Sequence, residues 1–388
     1  MSGSWNLLTI VQGFLSAGFA ASLAYVSFAL YLVLSYRPRS APGPKDPPPL
    51  TLAKPICGME AELEENLRSW LIQDYPRYEV LFGVRDANDP ALPTVRKVMA
   101  EFPAVDATLI VHEGAVSGTN RKVASLVSIC RKAKYPILVV SDSDTRAEPD
   151  CLSSIASRYE DDAVGAVTCL TAALPVPGVP STLGAMFINE EFLPSVLVSL
   201  ALRPLTFCLG PTMSARKSSL DAIGGFEALT NHLADDYLLG NRISRRGQKV
   251  ELASAVVRNV LFEPSLKALF LHELRWARTI RTVRPVGYSA TVITMITPWA
   301  LAVLLAFRFS LPGWLALGIA LALRAAMQQA VRWKFRLPGP LAVWWIPFRE
   351  FLSLSVYFAS HMGQSVLWKR NRFRVSGDGR LHEEVGRS

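Results

Sequence analysis

Charge is missing from the first 36 residues: no Asp, Glu, Lys or Arg interrupts the run that ends at Tyr36. A bilayer crossing needs roughly 20 apolar residues, so 1–36 reads as an N-terminal transmembrane anchor. A cleaved secretory signal is excluded, because the basic n-region is absent and the apolar run is too long. Cysteine is scarce. The five present, Cys57, Cys130, Cys151, Cys169 and Cys208, form no C-x-x-C pair. An odd, scattered set fits a reducing cytoplasm and is assigned neither a metal nor a disulfide. The chain also lacks an internal repeat, a G-x-G-x-x-G and a P-loop. A phosphate ligand would therefore have to be held by a metal and basic side chains.

What is present divides the chain. It has 388 residues, half of them hydrophobic, and a mean hydropathy of +0.25. This predicts one soluble domain joined to membrane segments. Net charge is +9. Beside membrane segments that charge points to the anionic cytoplasmic leaflet, where each Lys or Arg is worth roughly 1 kcal/mol, and not to nucleic acid. Arg37, Arg39 and Lys45 follow the anchor at once, which by the positive-inside rule puts residue 37 onward in the cytoplasm. Residues 37–50 read as a stiff proline-rich linker, and 51–264 as the globular domain. Residues 265–286 read as an amphipathic interfacial helix with Arg275, Arg278, Arg281 and Arg284 every third position. Residues 287–368 hold further membrane segments, at about 287–307, 311–331 and 343–368 by their apolar runs, and 369–388 a basic polar tail. The third segment contains Pro347, Arg349 and Glu350, so the number of crossings and the side of the C-terminus stay open.

Within 51–264, short apolar runs alternate with helical stretches: LTLAKPI, YEVLFGV, ATLIVH and PILVV are each followed by a polar turn and, for the first three, a helix pattern. This rhythm predicts an α/β fold built on a doubly wound, mostly parallel, Rossmann-like sheet. Ligands of such sheets sit outside the carboxyl ends of the strands. Asp142 and Asp144 of SDSD stand at the end of PILVV and, spaced two apart, point the same way. They either share a hard divalent cation with a phosphate ligand or decorate a loop and cap the helix after Pro149. Asp86 and Asp89 end YEVLFGV, where turn chemistry alone also places aspartate. Asn120 and Lys122 open a helix, and Lys122 could neutralise a diphosphate. Asp235 and Asp236 follow a Gly-Gly turn and suit either a general base with its neighbour or helix capping.

These motifs occur in an order that resembles the ceramide glucosyltransferase family, the family 21 glycosyltransferases, including bacterial hopanoid-associated members. The resemblance covers roughly residues 50 to 290 and the membrane layout. It implies a GT-A fold, a nucleotide-sugar donor and inversion at the anomeric carbon. The family's signature aspartates fall on Asp89, with Asp86 nearby, on Asp142, and on Asp236 as the implied base. Its closing (Gln or Arg)-x-x-Arg-Trp pattern falls on His272, Arg275 and Trp276. His272 departs from that pattern, and Asp144 stands where eukaryotic relatives can have Gly.

The expectation is a non-processive transferase that moves a hexose, glucose or N-acetylglucosamine, from a UDP-sugar to the hydroxyl of a ceramide-like or hopanoid lipid. Asp236 is the expected catalytic base. Asp86, Asp89, Asn120, Lys122, Asp142, Asp235, His272, Arg275 and Trp276 are the expected substrate contacts. Asp142 and Asp144 are expected to hold Mg2+ or Mn2+ against the developing diphosphate charge. The expected place is the inner membrane, multi-pass, with the catalytic domain in the cytoplasm. The alternatives are a processive polysaccharide synthase, which would need a pore, and an inactive membrane scaffold.

Overall fold

The computed structural model of the chain describes residues 7–37, 44, 46–112, 118–368 and 371–384. Arg39 and Lys45 of the expected linker lie outside the described residues, as do Lys369 and Arg370 of the tail. The chain forms two compact units. One contains Met1–Tyr36, Pro177–Leu202 and Glu263–Leu367; the other contains Arg37–Val176, Arg203–Phe262 and Trp368–Ser388.

The second unit is built on an eight-stranded sheet. Its strands are β1 (Leu50–Ile56), β2 (Tyr78–Val84), β3 (Asp106–Val111), β4 (Ile137–Ser141), β5 (Thr145–Arg146), β6 (Val164–Pro175), β7 (Thr212–Arg216) and β8 (Lys249–Leu261). They lie in the order β3-β2-β1-β4-β7-β6-β8-β5. The first four are parallel. β7 runs antiparallel between β4 and β6, while β6 and β8 pair in parallel. Helices Leu63–Leu71, Leu92–Glu101 and Arg121–Cys130 connect the parallel strands, as crossovers between parallel neighbours must. All five residues of β4 are buried, which is why it reads as an unbroken apolar run. Trp70, Phe82, Val80, Leu52 and Val139 belong to the core beside this sheet.

Register sets up the site. β1 pairs Ile56 with Val84 of β2, and Ala53 with Val140 of β4, so the carboxyl ends of all three open on one edge. β7 enters at that edge, with Thr212 opposite Ser141. The chain ends in three more strands, β9 (Ser365–Trp368), β10 (Asn371–Val375) and β11 (Leu381–Glu383). β10 and β11 form an antiparallel hairpin whose Phe373, Val375 and Leu381 are buried. Residues 371–384 are therefore folded: apolar residues alternate with Arg372, Arg374 and His382, a period-two pattern masked by the basic composition.

The first unit is helical. Among the described residues, three helices are long and apolar enough to cross a membrane: Leu7–Ser35, Val179–Leu202 and Leu311–Phe335. A bent pair, Pro285–Thr294 and Ile296–Ala306, angled by 59°, adds a fourth if counted as one span. Gly18 of the first helix lies against the Trp299 ring, where a Cβ would collide. This is the small-residue contact that lets membrane helices approach.

Two expectations change here. Val179–Leu202 was expected inside the globular domain but is an apolar helical stretch of the first unit, carrying a π-helical turn at Ile188–Phe192. The segment expected to cross at 343–368 instead contains the 16-residue helix Ile346–His361, which is not among the candidate spans. Its charges are buried and paired. Arg349 donates to both Glu273 oxygens at 2.7 Å. Glu350 accepts from the Thr297 N–H at 2.6 Å and lies 2.8 Å from Arg324 Nε. Likewise the arginine face of Leu266–Val283 is partly consumed. Arg278 donates to the carbonyls of Ala359, Met362 and Ser365, and Arg281 to that of Gly363, capping the end of Ile346–His361.

Candidate active site

The second unit gathers four acids and two lysines at the carboxyl edge of β4. Asp142 leaves the strand with its N–H donating to the Pro211 carbonyl at 3.1 Å. The Thr145 N–H donates back to the Asp142 carbonyl at 3.2 Å, a turn that brings Asp144 to β8. There Val260 N–H donates to the Asp144 carbonyl at 2.8 Å, and the Asn259 side chain hydrogen-bonds the Asp144 carboxylate. The helix after Pro149 starts at Cys151 with Asp150 at its N-cap, so neither Asp142 nor Asp144 caps it.

Lys122 sits in the first turn of Arg121–Cys130. Its Nζ is 2.6 Å from Asp142 Oδ1 and 3.5 Å from the Gly210 carbonyl. Burial alone would lower its pKa, but Asp142, Asp235 and Asp236 outweigh burial and raise it. Asn120 is the N-cap of the same helix, with Oδ1 accepting from Val123 N–H at 3.1 Å. Its Nδ2 donates to the His232 carbonyl at 2.8 Å and to Asp235 Oδ1 at 3.1 Å.

Asp235 and Asp236 open the helix Asp235–Arg245. Asp235 is 6% exposed, and its Oδ2 has no hydrogen-bond partner. Asp236 is half-buried and accepts from the Tyr237 N–H at 2.7 Å. Two glycines set this helix. A Cβ on Gly240 would come within 2.5 Å of the Cys208 nitrogen, and one on Gly210 within 3.0 Å of Asp236 Oδ2. With glycine at both places, the helix lies against residues 207–210 and Asp236 faces the same segment that touches Asp142 and Lys122.

The electrostatics follow. Burial, then Asp235, pushes the Asp236 carboxyl up to about 6. Burial, then Asp142 and Glu60, does the same to Asp144, also to about 6. Asp235 is raised by burial and by Asp142, against Lys122. Carboxylates crowded beyond their compensating cations favour a bound cation or a proton. Among the described residues no group of three or more His, Cys, Asp or Glu forms a metal site. Two carboxylates still fit a hard cation that arrives with a diphosphate, since Mg2+ binds through one or two carboxylates, phosphate oxygens and water.

Sequence reasoning missed Lys54. It lies on β1 with no solvent exposure, donates to Ser141 Oγ at 3.2 Å and to the Asp142 carbonyl at 2.8 Å, and lies over the Trp70 ring at 5.0 Å. Burial lowers its pKa to about 7, with Asp142 and Asp144 opposing. Its signal was a lone charge inside LTLAKPI, an otherwise uncharged strand.

The remaining candidates are placed differently. The Asp89 carboxylate accepts from Gly58 N–H at 2.9 and 3.1 Å and from Ala91 N–H at 2.8 Å, tying the loops after β1 and β2. Asp86 is exposed and accepts from Asn88 N–H at 2.8 Å. His272, Arg275 and Trp276 belong to Leu266–Val283 of the first unit. His272 Nδ1 is 2.6 Å from Glu263 Oε1, its ring is 4.2 Å from that of Trp276, and Trp276 stacks on Phe187. Burial lowers the His272 pKa, against the hydrogen bond to the Glu263 carboxylate, which raises it. The signal for Glu263 was absent, because it lies nine residues before His272 and outside the arginine-rich pattern.

The profile of glycosyl transferase family 21 matches residues 14–381. The chain belongs to glycosyl transferase family 21. Among its relatives, ceramide glucosyltransferase 1 of Caenorhabditis elegans is 25% identical over 348 residues, covering 86% of this chain and 73% of that protein. Ceramide glucosyltransferase of Candida albicans is 37% identical over 116 residues, 27% of this chain and 21% of that protein. Among solved structures the fold is similar to a mannosyltransferase of Pyrobaculum calidifontis, PcManGT, described in complex with GDP-Man and Mn2+. That likeness has a TM-score of 0.56 at 22% identity and covers 92% of this chain and 98% of the other. The family 21 chain thus has a GT-A-like, mostly parallel sheet, with apolar helices that are candidate membrane spans.

Proposed function

We propose that this family 21 glycosyltransferase transfers a hexose, with inversion, from a UDP-sugar to the hydroxyl of a membrane lipid. The observation that carries the reading is the cluster of Lys122, Asp142, Asp144, Asp235 and Asp236 on one sheet edge, with the pKa of Asp236 raised to about 6 by burial and by Asp235. An alcohol is a poor nucleophile at neutral pH. A carboxylate with a pKa of about 6 can take its proton as the new bond forms, which is worth about 10²–10⁴-fold. Lys122 faces the side where the diphosphate would depart. Asp142 and Asp144 would hold a divalent cation, Mg2+ or Mn2+, which when bound neutralises charge on the leaving diphosphate. Asp235, fixed by Asn120, sustains the raised pKa of Asp236. Asp86, and Asp89 through the loop it shapes, are assigned to the nucleotide, and His272, Arg275 and Trp276 to substrate contacts.

The lipid acceptor is supported by the candidate spans and by relatives named ceramide glucosyltransferases. The three or four candidate spans among the described residues are few for a polymer pore, which favours single transfer over processive synthesis. We place the protein in the inner membrane with its active site in the cytoplasm; Arg37 and its basic neighbours support that side under the positive-inside rule. The test is UDP release by the detergent-solubilised protein with UDP-glucose or UDP-N-acetylglucosamine and ceramide or a hopanoid, with the lipid product identified by mass. One hexose per lipid is expected. Polymer, or no donor turnover with any acceptor, would overturn the reading.

A further inference from the structure

The segment Thr230–Ala234, immediately before Asp235 and Asp236, lies between two partners. On one side, Asn120 N–H donates to the Thr230 carbonyl at 2.8 Å and Asn120 Nδ2 to that of His232 at 2.8 Å. Thr119 N–H donates to Asn231 Oδ1 at 3.1 Å. On the other side lies the β10–β11 hairpin. Leu381 N–H donates to the Asn231 carbonyl at 2.8 Å, and Leu233 N–H donates to the Gly379 carbonyl at 3.1 Å. His232 and Arg380 face each other as an antiparallel bridge. The backbone of residues 230–233 is thus hydrogen-bonded on both sides although it belongs to neither sheet. Buried backbone groups need such partners, and here one set comes from residues more than 140 positions away in sequence.

The hairpin is itself anchored. Phe373, Val375 and Leu381 are 2–3% exposed. Its turn closes through Ser376 N–H donating to the Arg380 carbonyl at 3.0 Å and Gly379 N–H to the Ser376 carbonyl at 2.9 Å. Gly379 has φ of +82°, a conformation that suits glycine. The hairpin therefore offers a fixed edge to the segment that carries the proposed base.

We propose that the hairpin Asn371–Glu383 is a positioning element of the catalytic site, with Gly379 and Leu381 as the residues through which it acts. They touch neither donor nor acceptor in this account. They hold Asn231–Leu233 from the side opposite Asn120, and so fix where Asp235 and Asp236 enter their helix. The inference rests on the reading of Asp236 as the base. It explains why a basic stretch beyond the membrane helices carries three buried apolar side chains.

The test uses the full-length protein in detergent. Leu381→Pro removes the N–H that meets Asn231, and Gly379→Ala strains the turn more mildly. Both are expected to lower kcat, Leu381→Pro by at least about tenfold and up to the ~100-fold that a 1 Å misplacement can cost. UDP affinity and the number of UDP sites per chain, by calorimetry, should stay within twofold of wild type. The acid limb of the kcat–pH profile should also move, because the surroundings of Asp236 change. His382→Ala, an exposed side chain on the same strand, should match wild type. Wild-type kcat in both variants would overturn the proposal. So would a loss of UDP sites in proportion to kcat in both, because that is the mark of a purely structural role. If Leu381→Pro fails to fold, Gly379→Ala alone decides. Failure of the underlying reading is told apart by Asp236→Asn: if that variant keeps wild-type turnover in the same assay, the base assignment fails, not the hairpin contact.

Discussion

The ammonium of Lys54 donates to the Asp142 carbonyl over 2.8 Å from a position with no solvent exposure. No carboxylate lies within ion-pair distance of it among the described ion pairs. A buried charge without a close counter-ion is costly, so its retention points to work at the site. It holds the Ser141–Asp142 turn from behind and, when protonated, sets a positive charge beneath Asp142 and Asp144. Lys54→Met keeps the length and removes the charge. We expect the variant to fold with unchanged or higher thermal stability, because the desolvation cost goes. Turnover should drop at least about tenfold, a barrier change of only about 1.4 kcal/mol. Wild-type turnover would show Lys54 to be structural only.

The raised pKa of Asp236 makes a pH prediction. A base must be deprotonated to act, and burial with Asp235 puts that step at about 6. Activity should therefore be present above pH 6 and fall as pH drops through about 6, in kcat measured at saturating donor and lipid. Asp235 and Asp236 are adjacent and interact, so the profile reports that pair and not either residue alone. Asp235→Asn removes a neighbouring negative charge and should shift that acid limb to lower pH. A limb that stays in place would remove Asp235 from the set that tunes the base.

The paired charges of the helical unit give a stability prediction. Arg349 and Glu273, each at most 2% exposed, form a two-pronged pair at 2.7 Å. Arg349→Met alone leaves a buried carboxylate uncompensated, an error worth about 3–5 kcal/mol. Arg349→Met with Glu273→Met should recover much of that loss, read as the thermal midpoint of purified protein. Equal loss in the single and double variants would mean that the pair is not what Arg349 is for.

Orientation is open to direct labelling. A cysteine introduced at Pro47, in the linker that follows the first helix in sequence, should react with a membrane-impermeant maleimide only when the cytoplasmic face is exposed, in a background lacking the exposed Cys57. Labelling from outside intact cells would reverse the proposed topology and cut the site off from cytoplasmic nucleotide sugars.

Much of this was legible in the sequence, for physical reasons. β1, β2 and β4 are buried on both faces, so each appears as a plain apolar run ending at a polar turn. That alone located Asp142 and Asp144. The pairing of Lys122 with Asp142, and of Asn120 with Asp235, was not legible, because it joins segments 20 and 115 residues apart. Lys54 was hidden inside a strand whose other members fit a core. Val179–Leu202 was absorbed into the globular domain because Glu190 and Glu191 interrupt its apolar run; only the fold shows them meeting Gln328, Ser353 and Arg324. The hairpin was obscured by its arginines, which alternate outward while Phe373, Val375 and Leu381 turn in.

In the proposed reaction the acids divide between two jobs: Asp142 would hold the donor side, and Asp236 would take the acceptor proton. The most direct test is UDP affinity by calorimetry, with Mg2+ or Mn2+, on Asp142→Asn and Asp236→Asn, beside their turnover with a lipid acceptor. Asp142→Asn should lose metal-dependent UDP binding and at least about tenfold in turnover, since it removes a charge-stabilising group. Asp236→Asn should keep UDP binding and lose turnover by about 10²-fold or more, the usual worth of a general base. If Asp236→Asn loses UDP binding as severely as Asp142→Asn, Asp236 belongs to the donor site and the account of the base is contradicted.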